Sequence, residues 1–295
     1  MNSARNLIFI PVFWLTFGIA AKAQQKMDLD HIRFSVQKAA DWTALFNKKS
    51  GWFGGDGIYT IPLNGVDNKT AGKNSTTLFI FSDSMIGQTT DSTMLPGAKM
   101  IHNAVAYLQG NEPVNSKMKF LWKQKNNSPE SVFIPRTPKT NPADYFWLGD
   151  GFVNQTLKNT TYIFGYRVRN FSSDAFGFKE VGNVLIKIPN GNKFPYADQK
   201  QLETPFYADS AGTVTSFGAG IYVNTAAAGA KNPDGYLYVY GVKGLAKELL
   251  VARVLPKDFE NFGKWRFWTG IFWSAQINQS KAVTNSVSNE LSLTQ

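Results

Sequence analysis

Short apolar runs, set off by glycine and polar turns, dominate this chain, and their order repeats three times. Each copy opens on a Gly-x-Gly step: Gly55-Asp56-Gly57, Gly149-Asp150-Gly151 and Gly218-Ala219-Gly220. An aromatic-rich run follows, Leu78 to Phe81, Tyr162 to Tyr166 and Leu237 to Tyr240, and then a third apolar run, Asn103 to Leu108, Asn183 to Ile188 and Glu248 to Val254. Runs of this length and composition read as strands. Repeats of several short strands imply a radial all-β architecture, and the expectation is a β-propeller.

The first blade is predicted over 52–122, with strands near 57–63, 77–83, 103–108 and 118–122 and a long loop over 84–102. A connector rich in Asn, Lys and Pro fills 123–142; the second blade runs over about 143–208 and the third over about 217–269. Asn232-Pro233-Asp234-Gly235 reads as a tight turn. Helical spacing appears only near the start, where Val36, Ala39, Ala40, Thr43 and Phe46 predict a short helix over about 35–47. Three repeats fall short of the roughly four to eight blades of a propeller. Either blades are merged in this reading, or the ring stops before it closes. The polar segment 274–295 is then a frayed tail or the start of a further blade, with one strand near Glu290 to Leu293.

The ends and the composition narrow the class. Arg5, the apolar stretch Leu7 to Ala20 and Ala21-Lys22-Ala23 read as a signal peptide over 1–23. The expected location is therefore periplasmic or extracellular. The expected organisation is a leader over 24–50 and blades over 51–273. There is no cysteine, so disulfides and thiolate metal sites are excluded. The net charge of +10 comes from scattered lysines without a dense stripe, which argues against nucleic-acid binding. No metal, phosphate-loop or dinucleotide signature is present, so no cofactor is expected.

Candidate chemistry gathers at the strand entries. Asp56 and Asp150 occupy equivalent steps, and two carboxylates converging on one axis can divide acid and base roles. The plainer reading is that Asp-Gly is a favoured turn dipeptide. Asp83 lies where an apolar strand emerges, and His102 and Asn103 follow the long loop. Trp52 and Trp147 are the aromatic residues best placed as platforms for sugar rings, although packing explains most aromatics equally well. Arg253 points from a core strand and needs a carboxylate partner, whereas Arg167 and Arg169 read as surface residues.

Taken together, Trp42-x-x-Leu45-Phe46, Gly51-Trp52-Phe53-Gly54-Gly55-Asp56-Gly57, Phe81-Ser82-Asp83-Ser84 and Trp147-Leu148-Gly149-Asp150-Gly151 resemble exported bacterial proteins of the five-bladed propeller glycosidase type. These include a domain-of-unknown-function group related to endo-D-arabinanases, beside the wider arabinanase and β-fructosidase clan. The resemblance covers about residues 40–273. It implies two catalytic aspartates in the first blade, which fall on Asp56 and Asp83, and a further carboxylate from a later blade, best matched by Asp150.

The expected function is a secreted glycoside hydrolase acting on a polysaccharide. Asp56 would be base or nucleophile, Asp83 the partner acid and Asp150 a pKa modulator. Trp52, His102, Asn103, Trp147 and Arg253 are the expected substrate contacts. The alternatives are a non-catalytic carbohydrate-binding propeller or truncated pseudoenzyme, and a scaffold with no small ligand.

Overall fold

A computed structural model describes residues 34–293, so the expected signal peptide lies outside the described residues. The chain divides after Lys38, and residues 34–38 form no helix or strand. All helices and strands described belong to the unit that begins at Ala39. That unit is nearly all β.

Its one α-helix, α1 (Ala40–Ala44), is shorter than the predicted 35–47. Ala39 offers no side-chain cap, and a single uncapped turn does not propagate. What anchors the turn is the residue after it: Leu45 is fully buried, and Phe46 packs on Trp52, Phe79, Phe81 and Phe120.

Three antiparallel meanders carry the repeat. The first is β2 (Tyr59–Pro62), β3 (Thr76–Phe81), β6 (Ala104–Gln109) and β7 (Met118–Leu121). The second is β10 (Tyr145–Asn154), β11 (Thr160–Asn170), β12 (Phe178–Ile188) and β13 (Lys200–Glu203). The third has six strands: β14 (Tyr207–Ser210), β15 (Thr213–Asn224), β16 (Tyr236–Lys243), β17 (Glu248–Val254), β18 (Arg266–Trp268) and β19 (Trp273–Ser274). The predicted long loop over 84–102 instead holds β4 (Ser84–Gln88) and β5 (Lys99–Ile101). These form a three-stranded sheet with β1 (Ser50–Gly55). Its pairing partner lies more than thirty residues upstream (Ser50 opposite Gln88), out of reach of any local pattern. The connector holds the hairpin β8 (Lys123–Lys125) and β9 (Ser128–Glu130).

The sheets stand side by side, and alternation along the strands assigns each face to a different core. Leu78 and Ile80 of β3 pack with Ile163, Val184 and Ile186 of the second sheet, while Phe79 and Phe81 pack with Leu45 and Trp52. In β11, Tyr162 and Phe164 turn the other way, into a core with Phe217, Leu237 and Val239 of the third sheet. Each such aliphatic or aromatic side chain contributes about 1.5–3 kcal/mol on burial. The second sheet is therefore buried on both faces.

The strands β2, β10 and β15 come together, with β10 between the other two. The glycine steps sit where they meet. Pairing slips between Leu148 and Gly151 in β10 and between Phe217 and Gly220 in β15, so each step is a bulge. A Cβ on Gly149 would lie 2.6 Å from the Gly218 carbonyl oxygen, and one on Gly151 would lie 2.6 Å from Ile61 Cδ1. Only glycine lets these backbones approach so closely.

Arg167 is not a surface residue as expected, whereas Arg169 stays partly exposed. Arg167 is 3% exposed and binds Glu203 Oε1 at 2.6 Å, and Arg169 forks onto the buried Asp144 at 2.6 and 2.9 Å. After β19 the chain makes a bridge between Leu249 and Thr284, and Leu291 N donates to Ala219 O at 2.8 Å. The strand expected near Glu290 to Leu293 does not form; the segment lies against β15 through that backbone bond and through the Leu291 and Leu293 side chains, which crowd Gly220.

Candidate functional site

Two strands break at the same level. β1 stops at Gly55 and β2 resumes at Tyr59; opposite them β3 stops at Phe81 and β4 resumes at Ser84. The gap residues stay paired through the backbone. Asp56 N donates to Asp83 O at 3.1 Å, and Ser82 N donates to Asp56 O at 2.9 Å. Gly57 completes the turn with φ +58°, and a Cβ there would lie 2.6 Å from Ser82 Oγ. Asp56 and Asp83 are thereby neighbours.

Ser82 also pins β10 to this turn, because its Oγ accepts from Leu148 N at 2.9 Å. The residue before Leu148 then reaches Asp83: Trp147 Nε1 donates to Asp83 Oδ1 at 2.9 Å. The same oxygen lies 3.0 Å from His102 Nδ1. The imidazole stacks on the Tyr145 ring, with centroids 3.6 Å apart and planes 16° from parallel. Asp83, His102 and Trp147, proposed separately from sequence, thus form one cluster.

Beside the cluster lies a cavity of about 380 Å³ whose walls include Asp56, Trp147, Tyr166, Glu180, Ser216 and Glu290. Burial, and then the charge of Asp83, hold the Asp56 carboxyl above the usual range. Burial pushes Glu180 up to about 8, against a hydrogen bond from Ser216 Oγ at 2.6 Å. Burial and then the charge of Asp56 raise Glu290 as well. The walls of the cavity therefore include a solvent-accessible carboxyl, Asp56, and a carboxyl that keeps its proton near neutrality, Glu180, the two states that acid–base chemistry needs.

The family signature described as a domain of unknown function, DUF5005, matches residues 39–295. The chain belongs to the DUF5005 family. Among proteins with curated descriptions, none matches it. Among solved structures, this DUF5005 chain is similar to a crystal structure of a Bacteroides ovatus protein provisionally named a hydrolase. The TM-score is 0.56 at 16% identity, over 81% of this chain and 58% of the other. At that identity the likeness concerns the fold, and this chain spans little more than half the length of that structure.

The remaining sequence candidates lie elsewhere in the DUF5005 chain. Asp150 holds the same place in its Gly-Asp-Gly motif as Asp56, but it sits in a bulge within β10 and faces a second cavity, of about 540 Å³, with Asp67 and Tyr59. Its oxygens accept from Gly151 N at 2.8 Å and Ile221 N at 2.7 Å, so it fastens β10 to β15. Burial pushes it up to about 7. Trp52 offers no open ring face: it is 3% exposed and stacks on Phe120 at 4.5 Å. Asn103 is fully buried, with its amide spent on the carbonyls of Phe133 and Phe146 at 2.8 and 3.0 Å. Among the described residues Arg253 forms no salt bridge; it lies between the rings of Tyr236 and Trp273, 4.4 and 4.3 Å from their centroids. Neither cavity wall includes it.

Sequence reasoning missed Tyr166, Glu180, Ser216 and Glu290. For Glu180 a signal existed. It stands two residues before the apolar stretch of β12 that begins near Gly182, and a carboxylate leading into a buried strand is an exception worth noting. Glu290 carried no local signal. Among the described residues, no group of three or more His, Asp or Glu side chains is arranged to hold a metal ion.

Proposed function

We propose that this DUF5005 chain is a glycoside-hydrolase-like protein that acts on a polysaccharide, on a propeller scaffold of the arabinanase type. The scaffold reading is supported by three successive meanders, each packed face to face on the next, with β2, β10 and β15, the strands at or next to the glycine steps, side by side. The kinship of the fold with a provisionally named hydrolase points the same way. An exported protein would meet such a polymer outside the cell, in keeping with the signal peptide read at 1–23.

The observation that carries the activity is the pairing of Asp56 with Glu180 in one cavity beside Trp147. In this reading Asp56 acts as base or nucleophile and Glu180 as the proton donor to the leaving oxygen. Asp83 supports both the chemistry and the geometry: its charge raises Asp56 and its Oδ1 orients Trp147. Asp150 holds the strands in place. Hydrolysis of a glycosidic bond needs one carboxyl on each side of it, one protonated and one ionised.

The test is hydrolysis of soluble arabinan, xylan and polygalacturonate by wild type, Asp56→Asn and Glu180→Gln, with thermal melts as folding control. Both variants should lose at least about 100-fold in kcat, the usual scale of a lost acid or base. Wild-type-like turnover by a folded Asp56→Asn would remove the enzyme reading. Binding without turnover in every form would leave the carbohydrate-binding reading.

A further inference from the structure

The hairpin between β11 and β12 supplies Tyr166, Val168 and Glu180 to the cavity and then runs on past it. Val168 pairs with Glu180 and Asn170 with Phe178, so the tip, 171–177, begins one strand step beyond the cavity wall. Alternation places Phe178 on the same face of β12 as Glu180, about 7 Å further along at the usual strand rise. Two large apolar rings stand at the tip in the open: Phe171 is 61% exposed and Phe176 is 88% exposed. The tip is a built turn. Phe171 N donates to Gly177 O at 2.7 Å, Gly177 N to Asp174 O at 2.9 Å, and Ser172 Oγ to Asp174 Oδ2 at 3.0 Å.

These rings connect with the site. His102 stacks on Tyr145 at 3.6 Å, Tyr145 meets Trp147 edge-on at 6.1 Å, and Trp147 meets Phe178 edge-on at 4.8 Å. Phe178 and Phe176 follow at 6.5 Å. An unbroken file of five rings therefore leads from the Asp83–His102 pair to the exposed tip. Ring contacts and turn hydrogen bonds thus hold Phe176 exposed and in line with the cavity wall.

We propose that this hairpin tip, with Phe176 and Phe178 as its contacts, is an outer subsite that grips a glycan chain as it leaves the cavity. This rests on the glycan reading of the cavity. It adds that the ligand is a chain that runs from Asp56 past Glu180 to the tip, so that longer fragments gain a contact that shorter ones lack. The apolar face of a sugar ring is the surface that the exposed Phe176 and its neighbour Phe178 match. Continuity with the cavity wall selects this occupant over a lipid or protein partner.

The experiment is affinity electrophoresis in gels containing arabinan, xylan or polygalacturonate, with calorimetry on the two- and six-sugar fragments of whichever polymer retards the protein. Wild type, Phe176→Ala, Phe176→Tyr and Phe178→Ala are compared, with thermal melts. Phe176 is exposed, so its truncation leaves the fold intact. Wild type should bind the six-sugar fragment more tightly than the two-sugar one. Phe176→Ala should erase about five- to tenfold of that gain, and Phe176→Tyr should restore it. An undiminished chain-length gain in Phe176→Ala overturns the subsite even if the enzyme reading holds. Ring-dependent retardation without cleavage in any form sustains the subsite while the hydrolase reading falls. Retardation by none of the three polymers overturns the inference, and Phe176-dependent sedimentation with anionic liposomes would then assign the tip to a membrane surface.

Discussion

Asp67 stores a pH-dependent destabilisation that one amide substitution should release. It sits in the second cavity, and its Oδ2 is buried without a hydrogen-bond partner among the described residues. Burial raises it from 3.8 to about 7. The folded chain thus keeps a proton on Asp67 that the unfolded chain releases near pH 4. Folding takes up that proton between about pH 4 and 7, and wild-type stability falls as pH rises through this window. At about 1.4 kcal/mol per pH unit, the rise from 3.8 to about 7 means that ionised Asp67 costs the fold about 4 kcal/mol. Water entering the cavity reduces this to about 2–4 kcal/mol. Asp67→Asn should match wild type within about 1 kcal/mol at pH ~4, where Asp67 is largely protonated in the folded chain and only beginning to ionise in the unfolded one, and exceed it by about 2–4 kcal/mol at pH ~8.5. Urea unfolding followed by tryptophan fluorescence at the two pH values measures the difference. Glu180 titrates in the same range in both proteins and cancels, whereas the charge of Asp67 also helps to raise Asp150, so its removal lowers that carboxyl and adds to the difference at high pH. A stability difference that does not change between the two pH values would refute the reasoning.

Two further substitutions probe the frame of the site. Gly151→Ala should destabilise by about 2–3 kcal/mol, because the new Cβ meets Tyr162 O as well as Ile61 Cδ1 at 2.6 Å and a backbone oxygen in a ladder cannot give way; a loss below about 0.5 kcal/mol in urea unfolding would show the strands to be further apart. Ser82→Ala should cost about 1–3 kcal/mol by leaving Leu148 N without its acceptor. It should also shift the Trp147 emission as the indole loosens from Asp83, and an unchanged spectrum would contradict that coupling.

Much of the fold was legible because the repeat is local. Period-two apolar runs and glycine steps mark β2, β3, β6, β10, β11, β12, β15, β16 and β17 without any knowledge of what they pair with. β4 and β5 were hidden because each strand is short, the residues between them are rich in polar and turn types, and the partner of β4 is β1, far upstream. The site was half legible. Asp83, His102 and Trp147 each stood out at a strand entry or exit, but their meeting depends on Ser82 reaching Leu148 across 66 residues. Trp52 looked like a platform because nothing in its neighbourhood reveals that Phe81 and Phe120 will cover it. Asp56 and Asp150 show the limit most clearly. The motif is the same, yet Asp56 falls in the break between β1 and β2 and Asp150 in a bulge within β10, and the side chains serve different cavities, with Asp150 turned to the amide of Ile221 in the next sheet. Side-chain direction at a bulge follows the partner strand, and a local motif does not encode it.

The double-sided burial of the second sheet bears on how this molecule comes apart. Ile163 belongs to one core while Tyr162 and Phe164 belong to the other, so a single strand is the party wall of two hydrophobic compartments. Loosening the third sheet opens one compartment and leaves the other closed. Loosening the second opens both at once. The order of disassembly is therefore written into β11: the outer sheets can fray one at a time, but the wall falls only with the whole house.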